Sequence, residues 1–421
     1  MAVALDLNHK YSIVLLLFIN KYKNDMGGKN MKKKLIAAVM TAAMAMVVAA
    51  GCGAKAPTTP TTPNTPTTGG VIKIGVFEPL TGASAAGGEM TLEGIKLANE
   101  KVSEVLGRKV ELVVVDNKSD KVEAANGVSR LIESEKVVAI IGSYGSSLSM
   151  AAGDIVNRAK VPAVGCSPTN PLVTLNNDYY FRVCFIDPFQ GTVMANYAIQ
   201  ELGAKTAAII QDVQQDYSVG LSTYFVKAFK EKTGDANSIV GTASYNTGDQ
   251  DFTAQLTNIK EKNPDVIFAP GNYGESALLI KQARELGITT PILGGDTWEA
   301  PDFLEIGGEA VEDAAYSSHF TAAAPVTEVS KTFLADFKAK YNEDANAFAA
   351  LGYDAYMLII DAITRANSTD SVKIRDAIAA TKDFVGSTGN ITLDANGDAV
   401  KSAVINKVVD GKFEYFTTIE P

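Results

Sequence analysis

The 421-residue sequence predicts an α/β protein built on two mainly parallel sheets. Three observations lead there. Short runs rich in β-branched residues alternate with longer amphipathic segments, the rhythm of βα units whose sheets carry helices on both faces. The alternation restarts after a non-helical stretch at 166–178, and its strands are too many for one sheet of ordinary size. No Pro/Gly/Ser-rich linker separates the halves, which fits two lobes joined by several crossovers better than two independent domains.

Element by element, residues 71–77 (VIKIGVF) read as a strand. Residues 89–106 read as a helix with Leu92, Ile95, Leu97, Ala98, Val102 and Val105 on one face. Strands at 110–115, 137–141 and 161–165 then alternate with helices at 121–134 and 146–159. The second series has strands at 179–185, 206–210, 238–244, 265–269 and 292–293, with helices at 191–202, 219–230, 251–260 and 275–286. The last third changes to helices at 326–341, 345–365 and 372–381, followed by strand-like pieces at 390–393, 401–406 and 413–419.

The folded region is preceded by an export signal. Lys32, Lys33 and Lys34 lead into an apolar run at 35–50 that ends at Gly51-Cys52. A positive start, a short apolar core and small residues before a cut site define a secretory signal, and the run is shorter than the ~20 residues of a comfortable membrane span. Ala-Ala-Gly-Cys resembles the bacterial lipobox, with Ala49 where Leu is usual, so Cys52 is the expected lipidation site. Met31 begins a complete signal by itself and is the expected start; a long positive region beginning at Met1 is the alternative. Residues 1–51 are thus signal, and 52–70, dominated by Thr and Pro, form an extended tether.

Charge and composition exclude several functions. The chain has 38 basic and 48 acidic residues, of which the signal region holds seven and two; 38 less 7 leaves 31 basic and 48 less 2 leaves 46 acidic. Such an acidic chain without a basic stripe does not suit nucleic acid. It also leaves the acyl group as the expected membrane link. Only His9 and His319 exist, so neither a serine triad nor a histidine metal site can be assembled convincingly, and His319 reads as exposed or structural. No phosphate-binding glycine motif follows a strand. No enzyme activity, cofactor or metal is expected. Cys166 and Cys184 lie in apolar runs, where buried free thiols are commoner than a bridge, although an exported chain permits one.

What remains is a set of loops at strand C-terminal ends, where open α/β sheets bind ligands. They span 79–84, 142–147, 166–171, 211–217, 270–275 and 294–298. The second carries Tyr144 and Ser146 into a helix start, an anion site or simply an N-cap at Ser146. The third is stiffened by Pro168 and Pro171 around Thr169. The others bring Tyr217, Asn272, Tyr273, Asp296 and Trp298. Together they offer anion donors, a cation acceptor and aromatic walls, the needs of an amino acid.

Four segments, IGVFEPLTG, RVCFIDPFQG, PGNYGESALLIKQARELGI and GGDTWEAPDF, resemble the solute-binding lipoproteins of branched-chain amino acid ABC importers, in order and across nearly all of 71–421. The resemblance implies a type I periplasmic-binding-protein fold, two Rossmann-like lobes joined by three hinge crossovers. Lobe one is expected at 71–188 and 320–395, and lobe two at 189–319 and 396–421. The resemblance gives Ser146 the ligand carboxylate, Ser167 and Thr169 the amino acid's ends, Tyr217 the closing aromatic and Asp296 the α-ammonium. Tyr144 and Trp298 become side-chain walls. Asn272 beside Tyr273 stands where relatives often have two aromatics, and Gly87 lies near a missing aromatic, so a larger or more polar pocket is expected. The implied function is capture of leucine, isoleucine or valine by a monomer anchored outside the cytoplasmic membrane, facing the periplasm if the cell has an outer membrane. The implied partner is a permease with a cytosolic ATPase. A sensory binding protein for another amino acid or amide is the alternative.

Overall fold

A computed structural model describes residues 70–421. The signal segment with Met31, the lipidation site Cys52 and the tether up to residue 69 lie outside the described residues.

The first sheet is seeded by Ile72–Glu78 (β1), an apolar run that is buried along almost its whole length. It pairs in parallel with Arg108–Asp116 (β3) on one side and Ala139–Ile141 (β4) on the other. Ala163–Gly165 (β5) and Tyr180–Arg182 (β6) extend it in parallel. Glu104–Val105 (β2) closes the opposite edge antiparallel, giving the order β2-β3-β1-β4-β5-β6. The second sheet has the order β16-β15-β11-β10-β9-β7-β8. Its parallel strands are Ala207–Asp212 (β7), Ile239–Tyr245 (β8), Val266–Phe268 (β9), Ile292–Gly294 (β10) and Ala315–Ser318 (β11). Ala403–Val409 (β15) and Lys412–Ile419 (β16) complete it antiparallel. Phe384–Gly386 (β12), Gly389–Leu393 (β13) and Ala399–Val400 (β14) make a small antiparallel sheet.

Helices cover both faces of each large sheet. On the first, Lys121–Glu133 (α2) and Ser146–Ala159 (α3) bury Val128, Leu131, Leu148 and Val156 on one side. Ala85–Lys101 (α1) and Ala347–Ala366 (α10) bury Ile95, Leu351 and Ile359 on the other, together with Leu393 of the small sheet. On the second sheet, Asp187–Gln200 (α4) and Asp216–Thr233 (α5) lie opposite Thr253–Lys262 (α6) and Tyr273–Glu285 (α7). Pro301–Gly307 (α8) packs on α7, and Glu328–Tyr341 (α9) and Ser371–Ala379 (α11) flank α10. The chain passes between the large sheets three times: after β6, after β11, and at Lys401-Ser402 between β14 and β15. The expected α/β class and paired parallel sheets are therefore present.

Several element boundaries differ from the expected ones, each for a local reason. The helix expected at 89–106 begins at Ala85 and stops at Lys101. Leu106 and Gly107, with φ of 54° and 69°, turn the chain into the β2–β3 hairpin, and left-handed dihedrals at both central positions are what a two-residue hairpin requires. The strand expected at 179–185 is only Tyr180–Arg182. Strand β11 was not expected, because its AYSS sequence carries two serines; both are buried, and Gln190 and Glu299 occupy their hydroxyls.

Among the described residues, α10 is the one helix long and apolar enough to cross a membrane, but 83% of its most apolar stretch is buried inside the protein. Its closeness to α1 depends on absent side chains. A Cβ at Gly94 would overlap the Ala349 carbonyl oxygen, and one at Gly352 would overlap that of Thr91. Backbone cannot retreat as a flexible side chain can, so Gly94→Ala is expected to destabilise the protein by about 1–3 kcal/mol. Urea unfolding followed by circular dichroism measures it.

Candidate functional site

Parallel strands deliver their C-terminal loops to one edge of each sheet, and here those edges face one another. A cavity of about 340 Å³ lies between them. Ser84, Ser119, Tyr144 and Ser147 line it from the first sheet's loops, and Gln214, Tyr217, Thr247, Asn272 and Thr297 from the second's.

The loop after β4 is held from beneath by a carboxyl. Glu78, at the end of β1, is fully buried and its Oε2 accepts the Tyr144 N–H at 2.6 Å. Burial pushes Glu78 up to about 8, against the Tyr144 backbone and Ser143 hydrogen bonds that favour its charge. Ser146 opens α3. The N-cap is Gly145, whose φ of 84° suits a residue without Cβ, so Ser146 does not serve as the cap. Its hydroxyl instead accepts the Asn170 N–H at 3.1 Å, joining this loop to the one after β5.

That second loop is braced by Arg182. The guanidinium is buried and donates to the Pro168 and Asn170 carbonyls at 2.6 and 2.9 Å, the two residues flanking Thr169. It also donates to Thr174 Oγ1 at 2.7 Å, and its Nε makes a close ion contact with Asp398 Oδ1 at 2.7 Å. The loop's own hydroxyls are free: buried Ser167 Oγ and Thr169 Oγ1 make no well-directed hydrogen bond. Cys166 and Cys184 are buried free thiols, with Cys184 Sγ 3.4 Å from the Pro168 carbonyl.

From the second sheet, Asp296 follows β10 and is 2% exposed. Its Oδ1 accepts Gln190 Nε2 at 2.7 Å and the Tyr217 hydroxyl at 2.9 Å, and its Oδ2 lies 3.2 Å from His319 Nε2. Contrary to the exposed alternative expected for it, His319 is buried and rests against the Phe185 ring. Burial depresses its pKa, although Asp296 works in the other direction. Of the expected residues, Tyr144, Tyr217 and Asn272 line the cavity and Asp296 is bonded to Tyr217, whereas Ser146, Ser167, Thr169, Tyr273 and Asp296 itself are not part of its lining.

Asn272 and Tyr273 also reach across. Asn272 is the N-cap of α7, yet its side chain makes no capping bond. Its amide accepts the Tyr144 hydroxyl at 3.0 Å and donates to the Ala83 carbonyl at 2.8 Å. The Tyr273 hydroxyl accepts the Ala86 N–H at 3.2 Å. At the rim, Asp216 Oδ2 accepts Ser147 Oγ at 2.8 Å and pairs with Lys121 at 3.0 Å.

Two expectations are corrected. Trp298 is not a wall of the cavity: it is fully buried, stacked on Phe303 at 4.8 Å in the core around the second sheet, in the space that Gly294 leaves by lacking a side chain. Nor does Gly87 enlarge the pocket, since the Tyr144 ring packs directly against it, edge-on to Phe348 at 5.0 Å. Residues missed from the sequence are Arg182, Gln190, His319 and the rim trio Lys121, Ser147 and Asp216. An arginine inside the apolar run YYFRVCF was a legible sign of a buried, partnered charge; the rim trio has no such mark.

The chain belongs to the periplasmic binding protein family, whose family model matches residues 71–412. Among curated relatives, Leu/Ile/Val-binding protein homolog 3 of Brucella melitensis is 32% identical over 348 residues, covering 81% of this chain and 92% of that protein. Among solved structures, the leucine binding protein LivK of Thermotoga maritima is 47% identical with a TM-score of 0.81, covering 83% of this chain and 99% of that one. LivJ of Streptococcus pneumoniae, a branched-chain amino acid transporter substrate binding protein in complex with isoleucine, is 35% identical with a TM-score of 0.78, covering 83% and 100%. The two-lobed fold expected from the sequence is the fold of these proteins.

The buried acids set a pH dependence. Glu78 is raised to about 8 and Glu299 to about 7, both chiefly by burial, from ordinary values of 4.5. The native state therefore holds more protons than the unfolded chain between those limits, and stability falls as pH rises. His319 acts oppositely below 6.5, and Lys401, lowered to about 8, acts oppositely above that. The ligand-free protein is expected to lose stability from pH 6.5 to 8, with a shallower loss in Glu78→Gln. Urea midpoints across that range give the slopes.

Proposed function

We propose that this protein captures leucine, isoleucine or valine between its lobes and presents it to the permease of an ABC importer, itself catalysing nothing. One observation carries the reading. The buried hydroxyls of Ser167 and Thr169 lack partners in a strand-end loop of the first sheet, and the Asp296–Tyr217 pair stands at the strand ends of the second. Buried polar atoms are normally satisfied, and those left open mark where a ligand completes the set. The leucine and isoleucine named for the structural relatives support the choice of ligand class.

In this reading Ser146 and the start of α3 hold the ligand carboxylate, using the unpaired N–H groups of a helix N-terminus. Ser167 and Thr169 take the polar ends of the ligand. Asp296 pairs with the ammonium, and Tyr217 closes over it. Tyr144, pinned by Asn272, is the side-chain wall, with Tyr273 supporting the lobe contact. The lobes comprise 71–188 with 320–395 and 189–319 with 396–421, and hinge closure buries the ligand. The protein is exported, acts as a monomer and is held at the outer face of the cytoplasmic membrane by acylated Cys52, outside any nucleic acid or cofactor chemistry.

A thermal-shift screen against the common amino acids is expected to raise the midpoint with branched-chain ligands, by mass action. Asp296→Ala is expected to lose most of that affinity in calorimetry while retaining native circular dichroism; unchanged binding would overturn the assignment. Mass spectrometry of membrane-extracted protein is expected to find a lipid-modified N-terminal Cys52, and an unmodified N-terminus removes the anchor.

A further inference from the structure

A second cavity lies at the opposite edge of the second sheet, where its parallel strands begin, and the amino acid reading gives it no role. Its volume is also about 340 Å³, and it shares no lining residue with the cavity between the sheets. Tyr197 of α4, Leu202, Pro291 and Leu293 of β10 supply its apolar surface. Arg284 of α7, Lys407 of β15, Glu312 and Asp313 supply its charges.

The two cations are held in place without acid partners. Arg284 Nη1 donates to the Ile288 and Thr290 carbonyls at 2.7 and 3.1 Å, which pins the guanidinium beside the segment leading into β10. Among the described residues, nothing accepts its other N–H groups. Lys407 Nζ lies 4.4 Å from the centre of the Phe416 ring and 5.6 Å from that of Tyr197, and these two rings meet edge-on at 5.7 Å. Such contacts orient an ammonium but leave its charge uncompensated. Neither cation forms an ion pair among the described residues. The acids are otherwise engaged or exposed. Glu312 Oε1 and Oε2 accept the Asp410 and Gly411 N–H groups at 2.8 and 3.3 Å, and so belong to the turn between β15 and β16. Asp313 is exposed. Burial lowers the Arg284 pKa, an effect that the Asp313 charge only partly offsets.

We infer that this cavity is a second ligand site, one for a small organic carboxylate with a short apolar or aromatic body. Arg284 and Lys407 receive the carboxylate through charge-assisted hydrogen bonds. The body lies against Tyr197, Leu202, Pro291 and Leu293. A few convergent polar groups on an apolar wall are what small-molecule sites share. Inorganic phosphate leaves that wall bare, and an uncharged isostere leaves both cations unpaired, so neither replaces the carboxylate. Strand β10 separates the two sites: Pro291 and Leu293 face this cavity, and Asp296 follows the strand's other end. Both sites are therefore open to their ligands at the same time.

Calorimetry with benzoate as the probe tests the inference. Wild-type protein is expected to bind benzoate saturably, with an affinity unchanged by excess leucine. Benzamide and inorganic phosphate are expected to bind roughly tenfold more weakly or less. Lys407→Met keeps the aliphatic stem against the rings, and Arg284→Gln removes the guanidinium. Each is expected to weaken benzoate by about tenfold and to leave leucine binding unchanged, with circular dichroism checking that the variant is folded. If Arg284→Gln fails to fold, Lys407→Met decides. Four results overturn the site: no saturable benzoate binding, benzamide binding as tightly as benzoate, folded Lys407→Met within about twofold of wild type, or displacement of benzoate by leucine, which places the probe between the lobes. The amino acid reading fails separately, because a protein that ignores leucine still reports on this cavity through Lys407→Met.

Discussion

The site depends on one buried guanidinium. Removing an arginine from water costs several kcal/mol unless it is paired and hydrogen-bonded, and the terminal nitrogens of Arg182 donate to backbone carbonyls of the site loop and to Thr174 while its Nε forms an ion pair with Asp398. The carbonyls on either side of Thr169 are thereby fixed, which fixes where its hydroxyl points. Asp398 also accepts the Thr174 hydroxyl at 2.7 Å and immediately precedes β14, the strand that leads into the third crossover. Loop and crossover consequently share one network. The site loop cannot shift without disturbing a buried ion pair, so it is tied to the crossover.

A contrast among the buried acids clarifies what is structural and what is functional. Asp354, on α10, is fully satisfied by the backbone and hydroxyls of Ser387 and Thr388, and it clamps a turn of the small sheet. Glu299 accepts the Ala347 N–H at 2.9 Å and the Ser318 hydroxyl, tying the binding loop's end to the start of α10. These acids have partners because they hold elements together. Among the described residues, Ser167 Oγ, Thr169 Oγ1 and Gln190 Oε1 near the site are buried without partners, as are Glu78 Oε1, Ser238 Oγ and Asn406 Oδ1 elsewhere.

The sheets were legible because parallel strands buried on both faces read as continuous apolar runs, VIKIGVF above all. The loops were legible for a topological reason: once strand and helix alternate, the loops at strand C-terminal ends are the binding edge wherever they fall. Side-chain direction was not legible. Trp298 sits two residues beyond Asp296, yet one turns into the core and the other meets Gln190, Tyr217 and His319. Only the path of the chain after Gly294 decides that. His319 and Gln190 are likewise brought to Asp296 from distant segments, and no local spacing encodes their meeting.

Asn272 shows how a departure in sequence becomes a device in structure. An amide at a helix N-cap ordinarily bonds its own helix. Here it gives up that bond and clasps the Tyr144 hydroxyl and Ala83 carbonyl of the opposite lobe. A ring at this position could fill space but could not make both bonds. The Tyr144 ring, pressed on Gly87 and edged against Phe348, is thus held in one place when the lobes meet. The cleft thereby has one aromatic side that is fixed by hydrogen bonds running across it.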